Sequence, residues 1–277
     1  MSAVQSWIVL KRSEALLPPT IFNALTPQCS PCNQEYIMTT TASTNASRRR
    51  VLLDLLLIVG TLLISKNLLL QVDALWTYAG PISLLLSLCV AMFCLRQSGE
   101  NWTSVGLKRP ESIKKLVLWI VIAFFVTMVV GLLSESVVAS LFSAPDEATQ
   151  AIDARFVGRF DNLEGNLPVY LFWLAVGWII GGFTEEVLFR GALFLRFEQL
   201  FTGAPFAVFL AILCQAFFFG QGHYYYQGIA GFVATGAIGV VSGLLYLFFK
   251  RNLLPLMLVH GLSNTIGLTL LYLGVAP

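Results

Sequence analysis

The stretch LPVYLFWLAVGWIIGGFTEEVLFRGALFLR, residues 167–196, decides the fold. Its first half, Leu167–Gly182, is apolar enough to cross a bilayer. Just beyond it Glu185, Glu186 and Arg190 interrupt an otherwise apolar run. Ionisable side chains at membrane depth are expensive and by default mark a functional site. The sequence outward from this stretch repeats the pattern. Further apolar spans of the length that crosses a membrane lie at Val51–Leu70, Ala74–Leu95, Leu116–Leu133, Ala204–Gly222, Ile229–Phe249 and Leu253–Leu273. Val187–Leu200 is apolar but broken by Arg190, Arg196 and Glu198. The reading is an all-α, polytopic membrane helix bundle of seven or eight transmembrane helices.

Composition agrees. Hydrophobic residues make up 57% and charged residues 12%, about half the charge of a soluble domain. A net charge of +2 and the lack of a basic patch interleaved with aromatics exclude nucleic acid as a partner. Arg48, Arg49 and Arg50 abut the first span, Lys108, Arg109, Lys114 and Lys115 follow the second, and the Ser134–Asn166 connection is mainly acidic. The positive-inside rule then puts the N-terminus in the cytoplasm and that connection on the far side.

Residues 1–47 are polar and rich in Ser and Thr, and read as a disordered tail ahead of one transmembrane domain, 48–277, with its catalytic part at 167–273. Met38, shortly before the arginine triplet, reads as an alternative start. Cys29 and Cys32 have no second Cys or His pair near them, so a four-ligand zinc site is not expected there.

Three segments carry chemistry. In the first, Glu186 and Arg190 are four apart and share a helix face, as an ion pair would. Glu185, about 100° away on an α-helix, keeps a free carboxylate. Taken out of water, such a group makes a stronger base. The second segment is Phe219-Gly-Gln-Gly-His223, and the third is His260-Gly-Leu-Ser-Asn264. His260 and Asn264 share a face, a proton carrier or metal ligand beside an amide donor. Taken alone, each segment also reads as interfacial charge, aromatic belt or interhelical packing. Together they supply a base, a proton carrier and oxyanion donors, which is what hydrolysis of an amide requires. There is no Gly-x-Ser-x-Gly elbow and no His-Glu-x-x-His helix, so water is the expected nucleophile.

Glu185-Glu186-x-x-x-Arg190, Phe219-x-x-x-His223 and His260-x-x-x-Asn264, in this order, resemble the three motifs of the CPBP intramembrane proteases. This family is also called Abi or the CAAX amino-terminal protease family. The resemblance covers about 167–273 and touches Trp102–Leu107. It implies peptide-bond hydrolysis in the membrane, with Glu185 and His223 activating water, His260 and Asn264 stabilising the oxyanion, and Glu186 and Arg190 in support. Glu185, His223 and His260 could alternatively bind zinc, but Asn264 suits the oxyanion role better, and the metal-independent glutamate mechanism is the preferred expectation. The implied substrate is a membrane-associated or lipid-anchored peptide or protein, and the implied location is the bacterial inner membrane. Two other classes stay open, a non-catalytic bacteriocin-immunity or scaffold protein of the same fold and a proton-coupled transporter.

Simple alternation of spans raises one difficulty. It sets His223 about 28 Å along its helix and His260 about 10 Å along a parallel one. A kink, a tilt or a re-entrant segment is needed to bring them together.

Overall fold

The computed structural model describes residues 47–141 and 147–275. The tail, Met38 and the Cys29/Cys32 pair lie outside those residues. Every regular element described is helical. In chain order these are α1 (Arg48–Leu70), α2 (Ala79–Gln97) after a 3₁₀ segment (Asp73–Tyr78), α3 (Ile113–Leu141) and α4 (Glu147–Gly158). Then come α5 (Leu167–Leu200), α6 (Ala207–Phe248) and α7 (Leu254–Tyr272). Six of the described helices are long and apolar enough to cross a membrane. Their lipid-compatible faces leave side chains such as Leu56, Ile64, Phe125 and Phe248 exposed, which suits hydrocarbon rather than water. The chain is an integral membrane helix bundle.

The span count follows from two continuities. Leu167–Gly182 and Val187–Leu200 are parts of one helix, α5, so the polar break at Glu185–Arg190 sits within a span. Conversely, α6 is two legs joined at Gly228, whose φ of 57° and ψ of −155° only glycine adopts without strain. The legs run antiparallel in close contact. A Cβ on Gly220 would meet the Phe232 carbonyl oxygen at 2.5 Å, and one on Gly239 would meet Ala216 Cα at 3.0 Å. Gln215 Nε2 closes the hairpin by donating to the Gly239 carbonyl at 2.8 Å. Counted by legs, the bundle has seven apolar crossings. Within the acidic connection, α4 is an unforeseen short helix.

Two buried anchors position the site. Ser87 of α2 donates to the Ile58 carbonyl of α1 at 2.9 Å. Arg196 of α5, wholly buried, lies 2.9 Å from Asp54 of α1 and 2.6 Å from Glu100, and Asp54 is also 2.9 Å from Arg50. At the same end Arg251 grips Glu198 through two hydrogen bonds of 2.7 and 2.6 Å. The Trp102–Leu107 loop tucks in beside it: Leu253 donates its N–H to the Gly106 carbonyl at 2.9 Å, and Val105 is fully buried.

Candidate active site

The middle of α5, Gly177–Leu193, winds as a π-helix, with hydrogen bonds from i to i+5 instead of i to i+4. Such turns are rare and collect at functional sites. The Thr184 hydroxyl follows the same register, donating to the Ile179 carbonyl at 2.8 Å. Glycines let α7 come close to this segment. A Cβ on Gly182 would meet the Met257 carbonyl oxygen at 3.1 Å, and one on Gly261 would overlap the Trp178 ring. Trp178 Nε1 donates to Thr265 across the crossing at 3.0 Å.

This crossing assembles five of the six side chains singled out in the sequence. Glu186 Oε1 lies 3.3 Å from Arg190 Nη1 and accepts a hydrogen bond from His260 Nδ1–H at 2.9 Å. On the other side of the same imidazole, Glu185 Oε2 stands 3.8 Å from Nε2, beyond hydrogen-bond reach. The wide π turn separates neighbouring side chains by less than the α-helical angle, so both glutamates face one histidine from opposite sides. Among the described residues the Glu185 carboxylate makes no hydrogen bond, but it does not point away from the pair as α-helical geometry implies. Arg190 and Glu186 are almost wholly buried. Arg190 is further held by the Phe219 ring, 4.0 Å from the guanidinium carbon.

Asn264 sits one turn beyond His260, and its Nδ2 donates to the Gly177 carbonyl at 2.9 Å. That bond uses one of the amide's two protons. His260 and Asn264 converge over Gly181, which supplies the floor. His223 stands apart from this group. Its Nδ1–H donates to the Phe219 carbonyl at 2.9 Å, which leaves Nε2 as an acceptor. Among the described residues no hydrogen bond or ion pair joins it to Glu185, Glu186 or His260.

What unites them is space. A cavity of about 370 Å³ is lined by Glu185, His223, His260 and Asn264. A second, of about 280 Å³, lies on the Glu186 and Arg190 side and shares His223, His260 and Asn264 as its wall. The larger cavity runs lengthwise. One face of α7 lines it from His260 to Leu271, about 16 Å at 1.5 Å per residue. Side chains at different heights thus open on the same volume, which meets the difficulty that alternating spans raise for His223 and His260. Among the described residues no three His, Cys, Asp or Glu side chains are grouped to hold a metal ion.

The cavity wall also includes Lys66 and Arg159, which sequence reasoning did not assign to the site. Lys66 was legible as a charge inside the first span. Arg159 gave no such signal, since it lies in a connection.

Residues 167–266 match the family model described as Type II CAAX prenyl endopeptidase Rce1-like. This region is Rce1-like. The match bears out the resemblance carried by the three motifs and runs from the first residue of α5 into α7, with α1–α4 outside it. The Rce1-like region points to a membrane-embedded protease. Comparison with curated proteins and with solved structures gives no match.

Proposed function

We propose that the chain is an intramembrane endopeptidase that cleaves a peptide bond with activated water. Glu185 takes a proton from a water molecule in the larger cavity, with the acceptor Nε2 of His223 helping to orient it. The water oxygen bonds to the carbonyl carbon. The resulting oxyanion is held by His260, acting as an imidazolium whose Nε2–H donates while Nδ1–H stays on Glu186, and by the second Asn264 proton, in a space from which bulk water is largely excluded. When the C–N bond breaks, Glu185 returns the proton to the departing amine nitrogen, which balances the step. Glu186 and Arg190 fix the imidazole from behind through Nδ1, much as a carboxylate orients the histidine in other hydrolytic sites. The observation that carries this reading is the convergence of an unbonded carboxylate, an oriented imidazole and a spare amide proton on one cavity inside the bilayer.

The substrate is a membrane-associated or lipid-anchored peptide or protein, since only such a chain reaches a site at this depth. The location is a bacterial inner membrane with the N-terminus in the cytoplasm, a reading supported by the arginines at 48–50.

Comparison of the membrane proteome of cells carrying the wild type with that of cells carrying Glu185→Gln tests this. An uncut precursor accumulates in the variant, because the amide keeps the shape but cannot accept the proton. Identical proteomes from equally expressed, folded proteins would exclude Glu185 as the base.

A further inference from the structure

The second cavity, of about 280 Å³, has no part in the chemistry described so far. Its lining comes from α3, the second leg of α6 and α7, together with Glu186 and Arg190 of α5. Several of the polar atoms around it lack hydrogen bonds. Glu186 Oε2 and Arg190 Nε are buried without a hydrogen-bond partner among the described residues, although Glu186 Oε1 and Arg190 Nη1 pair with each other. Ser242 is 4% exposed, and its hydroxyl makes no hydrogen bond among the described residues. Thr127 and Thr235 each give their one hydroxyl proton to a carbonyl in the preceding turn, at 2.7 and 2.5 Å, which leaves the oxygen lone pairs as acceptors. Donors and acceptors thus surround a space several times the roughly 30 Å³ that a molecule of liquid water occupies. Buried polar groups beside such a space are ordinarily satisfied by water, at two to four hydrogen bonds per molecule. A lipid acyl chain offers none of these bonds and would leave the orphaned atoms desolvated, which is costly.

We infer that this cavity is a water chamber that resupplies the nucleophile to the cleavage site. The two cavities share a wall made by Phe219, His223, His260, Ser263 and Asn264. Ser263 has the smallest side chain of the five, and its hydroxyl makes no hydrogen bond among the described residues. It marks the passage. A water crossing there arrives beside the Nε2 acceptor of His223, in the cavity that Glu185 lines. The substrate creates the need. A chain lying in the larger cavity displaces water from it, and each cleavage consumes one molecule. Entry through the shared wall brings the next water from behind while the larger cavity is filled. The supply role rests on the endopeptidase reading, whereas the presence of water in the chamber does not.

The test uses the full chain in detergent and a millisecond X-ray pulse, which turns bound water into hydroxyl radicals that oxidise the side chains beside it. Leu256 and Val259 line the chamber and are 3% and 4% exposed. Ile58 of α1 is fully buried and lines neither cavity, so it serves as the dry control. Mass spectrometry is expected to find Leu256 and Val259 oxidised about tenfold or more above Ile58. Ser242→Met, which puts an apolar chain into the chamber, should bring them to within twofold of Ile58. The same variant should lower kcat for the native precursor about tenfold with KM within twofold, a split that a general loss of fold does not produce. If Ser242→Met does not fold, the pair Thr235→Val and Ser242→Ala carries both measurements. Oxidation of Leu256 and Val259 at the control level in the wild type overturns the proposal. So does oxidation that persists in the variants, or a kcat that stays unchanged when it is lost. Crosslinking of Leu256 or Val259 by a phospholipid with a photoactivatable acyl chain, without oxidation, would make this a lipid-chain site instead. Oxidation that depends on Ser242, in a protein whose Glu185→Gln variant accumulates no precursor, would sink the endopeptidase reading and leave the chamber standing.

Discussion

A methyl group on Gly181 would overlap the amide nitrogen of Asn264 and come within 3.1 Å of His260 Nε2. Both atoms belong to the group that would hold the oxyanion, so the smallest possible side chain displaces the chemistry. Gly181→Ala is expected to keep the fold and lower cleavage of the native precursor by at least about 10²-fold, the usual cost of ångström-scale misplacement. Cleavage measured beside a melting curve in detergent checks this, and near-normal activity would mean that Asn264 and His260 do not act from where they stand. At this scale the sequence was informative where partners are near neighbours. Glu186 and Arg190, four apart, could be paired from their numbers alone. The bond from His260 to Glu186 spans 74 residues, and nothing local announces it. Nor does the sequence say which glycine lies under a crossing, since that depends on the helix laid over it.

Two elements carry conformations that helical periodicity does not disclose. Gly228 turns α6 back on itself. With ψ at −155° and positive φ, alanine there costs about 1–3 kcal/mol of strain. Gly228→Ala should lower the melting temperature in detergent and also reduce cleavage, because His223 lies five residues upstream on the first leg. An unchanged melting temperature would show that the hairpin can turn another way. The two apolar spans flanking this turn were legible, but the boundary was not: the sequence suggests a stop near Gly222, whereas the helix continues through His223 to the turn. The π-helical stretch of α5 is the second case. Its residue types fit an α-helix equally well, and what selects the wider winding is contact with α7 across glycines, a tertiary effect. The acidic connection likewise hid α4, which brings Arg159 and Phe156 to the cavity.

Across the whole molecule, the C-terminal half is held to the N-terminal half by Arg196, which Asp54 and Glu100 clasp from α1 and the loop after α2. Removing one member of a buried ion group leaves charge without a partner and costs about 3–5 kcal/mol. Arg196→Met should destabilise the protein by about that much, while the double variant with Asp54→Asn recovers part of the loss. Chemical denaturation in mixed micelles measures both, and additive losses would deny the coupling. The outer helices, plain as they look in sequence, are therefore more than enclosure.

The same clasp bears on how the polypeptide enters the bilayer. α5 brings Glu185, Glu186, Arg190 and Arg196 into hydrocarbon, each a cost of a few kcal/mol near the centre of an isolated helix. During synthesis α1 and α2 emerge first, carrying Asp54 and a docking surface for Arg196. A nascent α5 leaving the insertion machinery thus finds a waiting counter-ion, and truncations that delete the first hairpin would strand it at the interface as a target for quality-control proteolysis.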